Sequence, residues 1–389
     1  MNSPSLYPRL CAASIFLYFS YALARSPIVP LYAKSLGATP EQVGLAVAAS
    51  TLTGIFVKLP AGALSDVLGR RIMLAIGACV FAFTPFLYVA ATSLMGFIVL
   101  RFVHGNATAI FGPTASATIS DVVSENKRGA KLGLYSSLQG VGQALGPLVA
   151  GVLISAAGYG NTFLFSGTLG IAGLLIVLTL RPPQTPYEEQ KNVLIQLRQG
   201  LHEVISNKSI LLLSAIIAVE MFAVGAYNGF LPLYAKDSLS IDTPLIGLIF
   251  GVQTVAALLA RPLMGRLSDR VGRKPLILGG LVWCAVIIST LPLIPSASLL
   301  IVLAAFWGLG LSTISSVGTA FITDLAKSQH YGAAHGTFGT IFDIGEATGP
   351  LVAGVLVSHA GFSTMFILMG ALLMLSALIF FSRIKGATQ

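Results

Sequence analysis

The decapeptide GALSDVLGRR, Gly62 to Arg71, comes back later in the chain as GRLSDRVGRK, Gly265 to Lys274. Only 10% of the 389 residues are charged and 55% are hydrophobic, so a charged motif written twice needs a reason. The repeat runs well past ten residues. Asp66 and Asp269 are 203 positions apart, and GQALGPLVAGVL (Gly142 to Leu153) returns at the same spacing as GEATGPLVAGVL (Gly345 to Leu356). VPLYAKSLG (Val29 to Gly37) pairs with LPLYAKDSL (Leu231 to Leu239) at a spacing of 202. Apart from that one residue of slippage, the chain is two copies of one unit.

What surrounds the repeats is apolar. Soluble domains carry about a quarter charged residues, far more than this chain does. A membrane crossing takes about 20 mostly apolar residues, because in lipid every backbone N–H and C=O must be bonded within the segment. Twelve such segments can be read, near 9–31, 41–63, 71–91, 94–120, 130–156, 161–180, 209–233, 244–265, 274–293, 298–323, 332–357 and 363–382. The first is too long for a cleaved signal and runs on into a second apolar segment, so it is expected to stay in the mature protein. The expected fold is an all-α polytopic membrane protein of twelve transmembrane helices in two six-helix bundles. An even unit repeated at constant offset keeps its orientation, which makes it a parallel repeat about an axis along the membrane normal.

Charge sets the orientation. With the N-terminus in the cytoplasm, Arg9, Arg70, Arg71, Lys127, Arg128, Lys131, Arg181, Lys191, Arg198, Lys208, Arg266, Arg270, Arg273, Lys274, Lys327, Arg383 and Lys385 fall on that side, while the opposite loops receive only Lys34 and Lys236. Both termini are then cytoplasmic, and the net charge of +9 is a topology signal. The basic residues are dispersed over short loops, which argues against nucleic acid as a partner. Cys11, Cys79 and Cys284 lie in or near apolar segments without ligand spacing and read as packing residues, not a metal site. No cofactor motif and no catalytic constellation is found, so the chain is not read as an enzyme. The lack of a GxxxxGKS/T phosphate loop points to a gradient, not ATP, as the energy source.

Three regions result: a first bundle over 1–181, a cytoplasmic linker over 182–207, and a second bundle over 208–389. The linker opens with prolines that cannot continue a helix. Val193, Leu194, Leu197, Leu201, Val204 and Ile205 then recur at helical spacing, which fits either a short surface helix or a solvated connector.

With these motifs in place, the chain resembles the major facilitator superfamily over essentially its whole length. GALSDVLGRR is similar to that superfamily's signature loop between the second and third helices, and GRLSDRVGRK is its second copy. The resemblance implies a cytoplasmic gate at Gly62, Asp66, Gly69, Arg70 and Asp121, mirrored at Asp269, Arg273 and Asp324. Gly62 and Gly69 would permit close backbone approach, Asp66 and Arg70 stand at i, i+4, and Asp121 could pair with Arg70. The loops either latch the gate or only fix topology.

GVGQALGPLVAGVL in the fifth segment is similar to the superfamily's antiporter signature at Gly142, Gly146, Pro147 and Gly151, with Ala150 where a glycine is usual. Small residues at that spacing let helices approach, and the proline bends the segment. Because the eleventh segment shares the pattern, inherited packing is the alternative. LRFVHGNATAIFGP, Leu100 to Pro113, resembles the arginine motif of proton-coupled exporters at Arg101 and Gly105, but His104 stands where Gln or Asn is usual.

Buried ions narrow the mechanism. Taking 1.5 Å per residue, Arg101 is about 12 Å in from Ser93, Glu220 about 18 Å from Lys208 and Asp343 about 20 Å from His330. Asp343 and Glu346 share a helix face, while the first copy has Gly140 and Gln143 there. Intramembrane ionisable residues are expected to be functional. Glu220, Asp343, Glu346, Arg101 and His104 are therefore proton-coupling candidates, the alternative for each acid being a structural ion pair. Arg25 lies deep in the first segment beside Pro27 and Pro30, which could distort it. Lys58 and Arg261 correspond at 203 and read mostly as snorkelling cations or supports of the latch. If the resemblance holds, the cavity is lined among Arg25, Tyr21, Phe111, Gln139, Gln143, Phe222, Tyr227, Asn228, Gln253 and Trp307; for the single aromatics, packing is the competing role.

The expected function is secondary active transport: a monomeric, proton-coupled antiporter in the cell inner membrane, exporting a small amphipathic or cationic compound by alternating access and similar to multidrug and tetracycline exporters. The alternatives are an uptake symporter or facilitator for a small organic solute, with Arg25 and Arg101 holding an anionic group, and a lipid-handling or sensing protein on the same scaffold.

Overall fold

A computed structural model describes residues 6–183, 208–325 and 331–383. Among these residues the structure is helical, without strands: α1 (Leu6–Leu23), α2 (Ile28–Ser35), α3 (Pro40–Val67), α4 (Arg70–Ala90), α5 (Leu94–Val122), α6 (Glu125–Leu178), α7 (Lys208–Asp237), α8 (Thr243–Val271), α9 (Arg273–Thr290), α10 (Ala297–Leu325) and α11 (Tyr331–Arg383), with a 3-10 turn at Leu291–Leu293. The linker residues expected to form a surface helix, 193–205, lie outside the described residues.

Among the described residues nine helices are long and apolar enough to cross a membrane, or ten if the bent pair Pro40–Lys58 and Pro60–Val67 is one span. α6 and α11 have 54 and 53 residues, far beyond the roughly 20 that one crossing needs. Each is broken at one glycine with positive φ, Gly158 at 79° and Gly361 at 79°. Those glycines are 203 positions apart, so the break is part of the repeat, and each long helix supplies two of the expected segments. Large apolar side chains such as Phe56, Leu259 and Phe381 stand exposed on the outer faces, the arrangement expected of a surface solvated by lipid.

Local sequence explains the helix ends. Ser93 caps α5, its Oγ accepting from the Gly96 amide at 3.1 Å. The first segment is interrupted, as Pro27 and Pro30 suggested: α1 stops at Leu23 and α2 begins at Ile28, leaving Arg25 in the break.

The chain forms two compact units that do not follow the repeat boundary. The first comprises Met1–Ala38, Ala49–Gln190 and Asp242–Gly251; the second comprises Thr39–Ala48, Lys191–Ile241 and Val252–Gln389. The first turns of α3 therefore belong with the second unit, and the first turns of α8 with the first. The core of the first unit holds Leu10, Leu17, Phe81, Phe111 and Tyr135. Phe111, a cavity candidate, is fully buried and meets Phe81 edge-on at 5.9 Å. In the second unit Trp307, Tyr227, Phe230, Phe366 and Phe380 are fully buried.

Candidate transport site and cytoplasmic latches

The repeated decapeptide builds the same polar knot in both units. Arg70, at the start of α4, binds three groups: it pairs with Asp66 four residues earlier, donates to Ser65 Oγ, and donates through Nε to Asp121 Oδ2 at 2.9 Å. Arg273 repeats this with Asp269 at 2.7 Å, with Ser268, and with Asp324 at 3.0 Å. The planar guanidinium suits this role because its donors diverge in a fixed fork. Ser65 and Ser268 were overlooked as members, although both sit inside the repeated motif.

The glycines of the loop act differently from expectation. A β-carbon at Gly62 or Gly69 would meet nothing within 4 Å, so neither is required for close approach. Gly69 and Gly272 instead have φ of 90° and 97°, a backbone conformation that side-chain-bearing residues rarely adopt.

The antiporter-like glycines of α6 do permit close approach. A β-carbon at Gly142 would lie 2.6 Å from the Ile15 carbonyl oxygen, and one at Gly146 would lie 2.4 Å from Ala22 Cβ, so this face is pressed onto α1. One at Gly151 would be 2.7 Å from the Thr243 carbonyl oxygen on α8. The same α6–α8 contact is closed from the other side by Gly247, whose β-carbon would be 2.5 Å from the Pro147 carbonyl oxygen. The second unit holds the equivalent pair: Gly44 of α3 against the Pro350 carbonyl oxygen at 2.3 Å, and Gly354 of α11 against that of Pro40 at 2.6 Å.

In the first unit a buried polar chain surrounds the predicted arginine. Arg101 is fully buried. Its Nη2 donates to Ser50 Oγ at 2.7 Å and its Nη1 to Tyr88 Oη at 3.5 Å. Tyr88 Oη is 2.9 Å from His104 Nδ1. Because an arginine can only donate, the Tyr88 proton is left for Nδ1, which puts the His104 proton on Nε2. That nitrogen is buried without a partner among the described residues. The His104 ring also meets Tyr21 edge-on at 4.9 Å. Sequence reasoning missed Ser50 and Tyr88, which carry no charge and belong to no motif.

The second unit holds a different feature. Glu220 on α7 is fully buried, and neither carboxylate oxygen has a hydrogen-bond partner among the described residues. Asp343 is buried and Glu346 partly so on α11, and both are engaged in other polar or electrostatic interactions. Tyr227, one helical stretch beyond Glu220, stacks on Trp307 with ring centres 5.0 Å apart and planes at 22°. Gln253 is 8% exposed.

The remaining candidates are dispersed. Arg25 is half-buried, 6.0 Å from the Tyr21 ring centre. Gln139 is half-buried and bonds the Tyr18 and Tyr135 hydroxyls, whereas Gln143 is exposed. Phe222 and Asn228 are half-buried. Lys58 is half-buried and Arg261 exposed.

Comparison with known proteins places this arrangement. The profile of the Major Facilitator Superfamily matches residues 10–236 and again 213–388. The chain is 31% identical to the multidrug resistance protein MdtG of Serratia proteamaculans (strain 568) over 360 residues, 87% of this chain and 84% of that protein. It is 29% identical to the protein of the same name from Enterobacter lignolyticus (strain SCF1) over 369 residues, 90% of this chain and 85% of the relative. The crystal structure of a D-xylose–proton symporter shares the fold, with a TM-score of 0.78, 15% identity and coverage of 98% of each chain. This chain is a multi-pass membrane transporter, not an enzyme, and belongs to the Major Facilitator Superfamily.

Proposed function

We propose that this transporter is a proton-coupled antiporter that exports a small amphipathic or cationic compound by alternating access. The observation that carries the reading is Glu220: a carboxyl buried within a transmembrane helix, with no hydrogen-bond partner for either oxygen among the described residues. An ionised carboxylate cannot stay bare in such surroundings, so the group must either bind a proton or take a cation. That is the exchange an antiporter needs.

Two further features support export. Helices α6 and α8 meet through Gly151 and Gly247, and on α6 this contact falls within the stretch that is similar to the superfamily's antiporter signature. The relatives quoted above carry the name multidrug resistance protein. A fold shared with a proton symporter does not choose the direction, so the direction rests on the motif and on those relatives. On this reading residues 1–181 and 208–389 are the two moving bundles, the Arg70 and Arg273 knots latch the cytoplasmic side, and Arg101 with His104 relays protonation in the first half. The carrier works as a monomer in the cell inner membrane with both termini cytoplasmic.

The test is a compound screen in proteoliposomes with an imposed pH gradient, recording cargo and proton flux together. Opposed fluxes with fixed stoichiometry are expected. Cargo and protons moving in the same direction would overturn antiport.

A further inference from the structure

The duplication lets each position of one half be compared with its counterpart in the other, and one pair of counterparts differs in a way that assigns a ligand chemistry. Gly105 and Gly308 are 203 positions apart and sit at the same tight crossing: a β-carbon would lie 2.3 Å from the Ser50 carbonyl oxygen in one case and 2.2 Å from the Gln253 carbonyl oxygen in the other. Ser50 and Gln253 are therefore equivalent, as are the residues before the glycines, His104 and Trp307.

In the first unit these two positions are matched from within except at His104 Nε2, which has no partner among the described residues. Ser50 accepts from Arg101, and His104 Nδ1 is bonded by Tyr88. In the second unit the counterparts of Arg101 and Tyr88 are Ala304 and Leu291, which offer no side-chain hydrogen bond. Trp307 and Gln253 are left accordingly. The Trp307 Nε1 donor and the Gln253 Oε1 acceptor are both buried, and neither has a partner among the described residues. Buried polar groups are nearly always matched, so an orphan donor and an orphan acceptor at one helix crossing call for a common explanation. The chain's other tryptophan shows the ordinary state: Trp283 Nε1 donates to the Phe306 carbonyl at 2.9 Å although its ring is exposed. Trp307 is held in place by Tyr227 stacked on its face, so it cannot swing to another acceptor without breaking that stack.

We propose that Trp307 and Gln253 recognise the edge of a planar heteroaromatic amide, taking a cargo carbonyl on the indole N–H and a cargo N–H on the carboxamide oxygen. This rests on the transport reading, since it places the recognition on the cargo path. A cis-amide edge presents an acceptor and a donor side by side, the complement of the pair left open. Tyr227 acts as a positioning residue for the indole.

Carbostyril, a bicyclic lactam, and N-methylcarbostyril, which lacks the N–H, are suitable probes. Equilibrium dialysis of the full-length protein in lipid nanodiscs should show carbostyril binding about 3- to 10-fold more tightly than its N-methyl analogue, the usual worth of one neutral hydrogen bond. Trp307→Phe, which keeps the stack and removes only the donor, should weaken carbostyril by a similar factor. Gln253→Leu should abolish the preference between the two probes. No detectable carbostyril binding, equal affinities in the native protein, or a preference that survives Gln253→Leu would each overturn the proposal; the native comparison needs no variant to fold. Proton-driven transport, measured in the same preparations, separates the two readings. A lactam preference without proton coupling removes antiport and leaves this inference standing, whereas coupling without the preference removes this inference alone.

Discussion

Arg70 donates through Nε to Asp121 Oδ2 at 2.9 Å, and 203 residues later Arg273 makes the same bond to Asp324 at 3.0 Å. Both arginines also hold the aspartate four residues earlier and the serine five residues earlier. The question raised by a decapeptide written twice in an apolar chain has a structural answer: each copy builds one three-way knot where two helices meet a loop.

That geometry predicts a difference between arginine and lysine. Arg70→Lys keeps the charge but loses the fork, so one or more charge-assisted bonds, each worth about 1.5–3 kcal/mol, are lost. Initial transport rates in proteoliposomes should fall about tenfold, since 1.4 kcal/mol is one decade. Asp66→Asn should be milder, because Asp66 is exposed and surface pairs contribute at most about 1 kcal/mol. Equal rates in Arg70→Lys and the native protein would show the knot to be only a topology marker.

Tyr88→Phe removes the hydroxyl that joins Arg101 to His104 while leaving the ring against Phe97 and Phe163. Unmatched polar groups would remain in the interior, at a cost of about 1–3 kcal/mol. Thermal unfolding in detergent should show the loss, and proton-driven transport should fall more than substrate counterflow. If both activities fall in parallel with stability, the chain is structural.

The glycines can be sorted by what they touch. Gly247→Ala puts a methyl group 2.5 Å from the Pro147 carbonyl oxygen, and overpacking of this kind costs about 1–3 kcal/mol. Gly62→Ala meets nothing within 4 Å and should gain about 0.5–1 kcal/mol from helix propensity. Transport by Gly247→Ala should be impaired and transport by Gly62→Ala retained. The reverse order would contradict the packing described for α6 and α8.

Much of this was legible in the sequence, for reasons that can be named. The two-fold repeat fixes equivalent positions, apolar length marks the spans, and a charged pair at i, i+4 announces the knot around Arg70. Pro27 and Pro30 foretell the break between Leu23 and Ile28. Other features depend on contacts between distant segments that no local pattern reports. The grouping of Thr39–Ala48 with the second unit is one such feature, and the bonding of Arg101 to Ser50 and Tyr88 is another. Gly62 was misread because its motif suggests close approach, while the structure leaves open space beside it. Trp307 and Gln253 were visible only as generic polar and aromatic lining. Their donor and acceptor, unmatched among the described residues, depend on how distant segments pack.

The central claim is that Glu220 carries the exchanged proton. The direct measurement is uptake of ethidium, a planar amphipathic cation, into proteoliposomes with an acidic interior, comparing the native protein with Glu220→Gln. The native protein should accumulate ethidium above equilibrium as protons leave. Glu220→Gln should still catalyse ethidium counterflow but should no longer concentrate it when the pH gradient is imposed. Accumulation by Glu220→Gln with the native pH dependence would contradict the account.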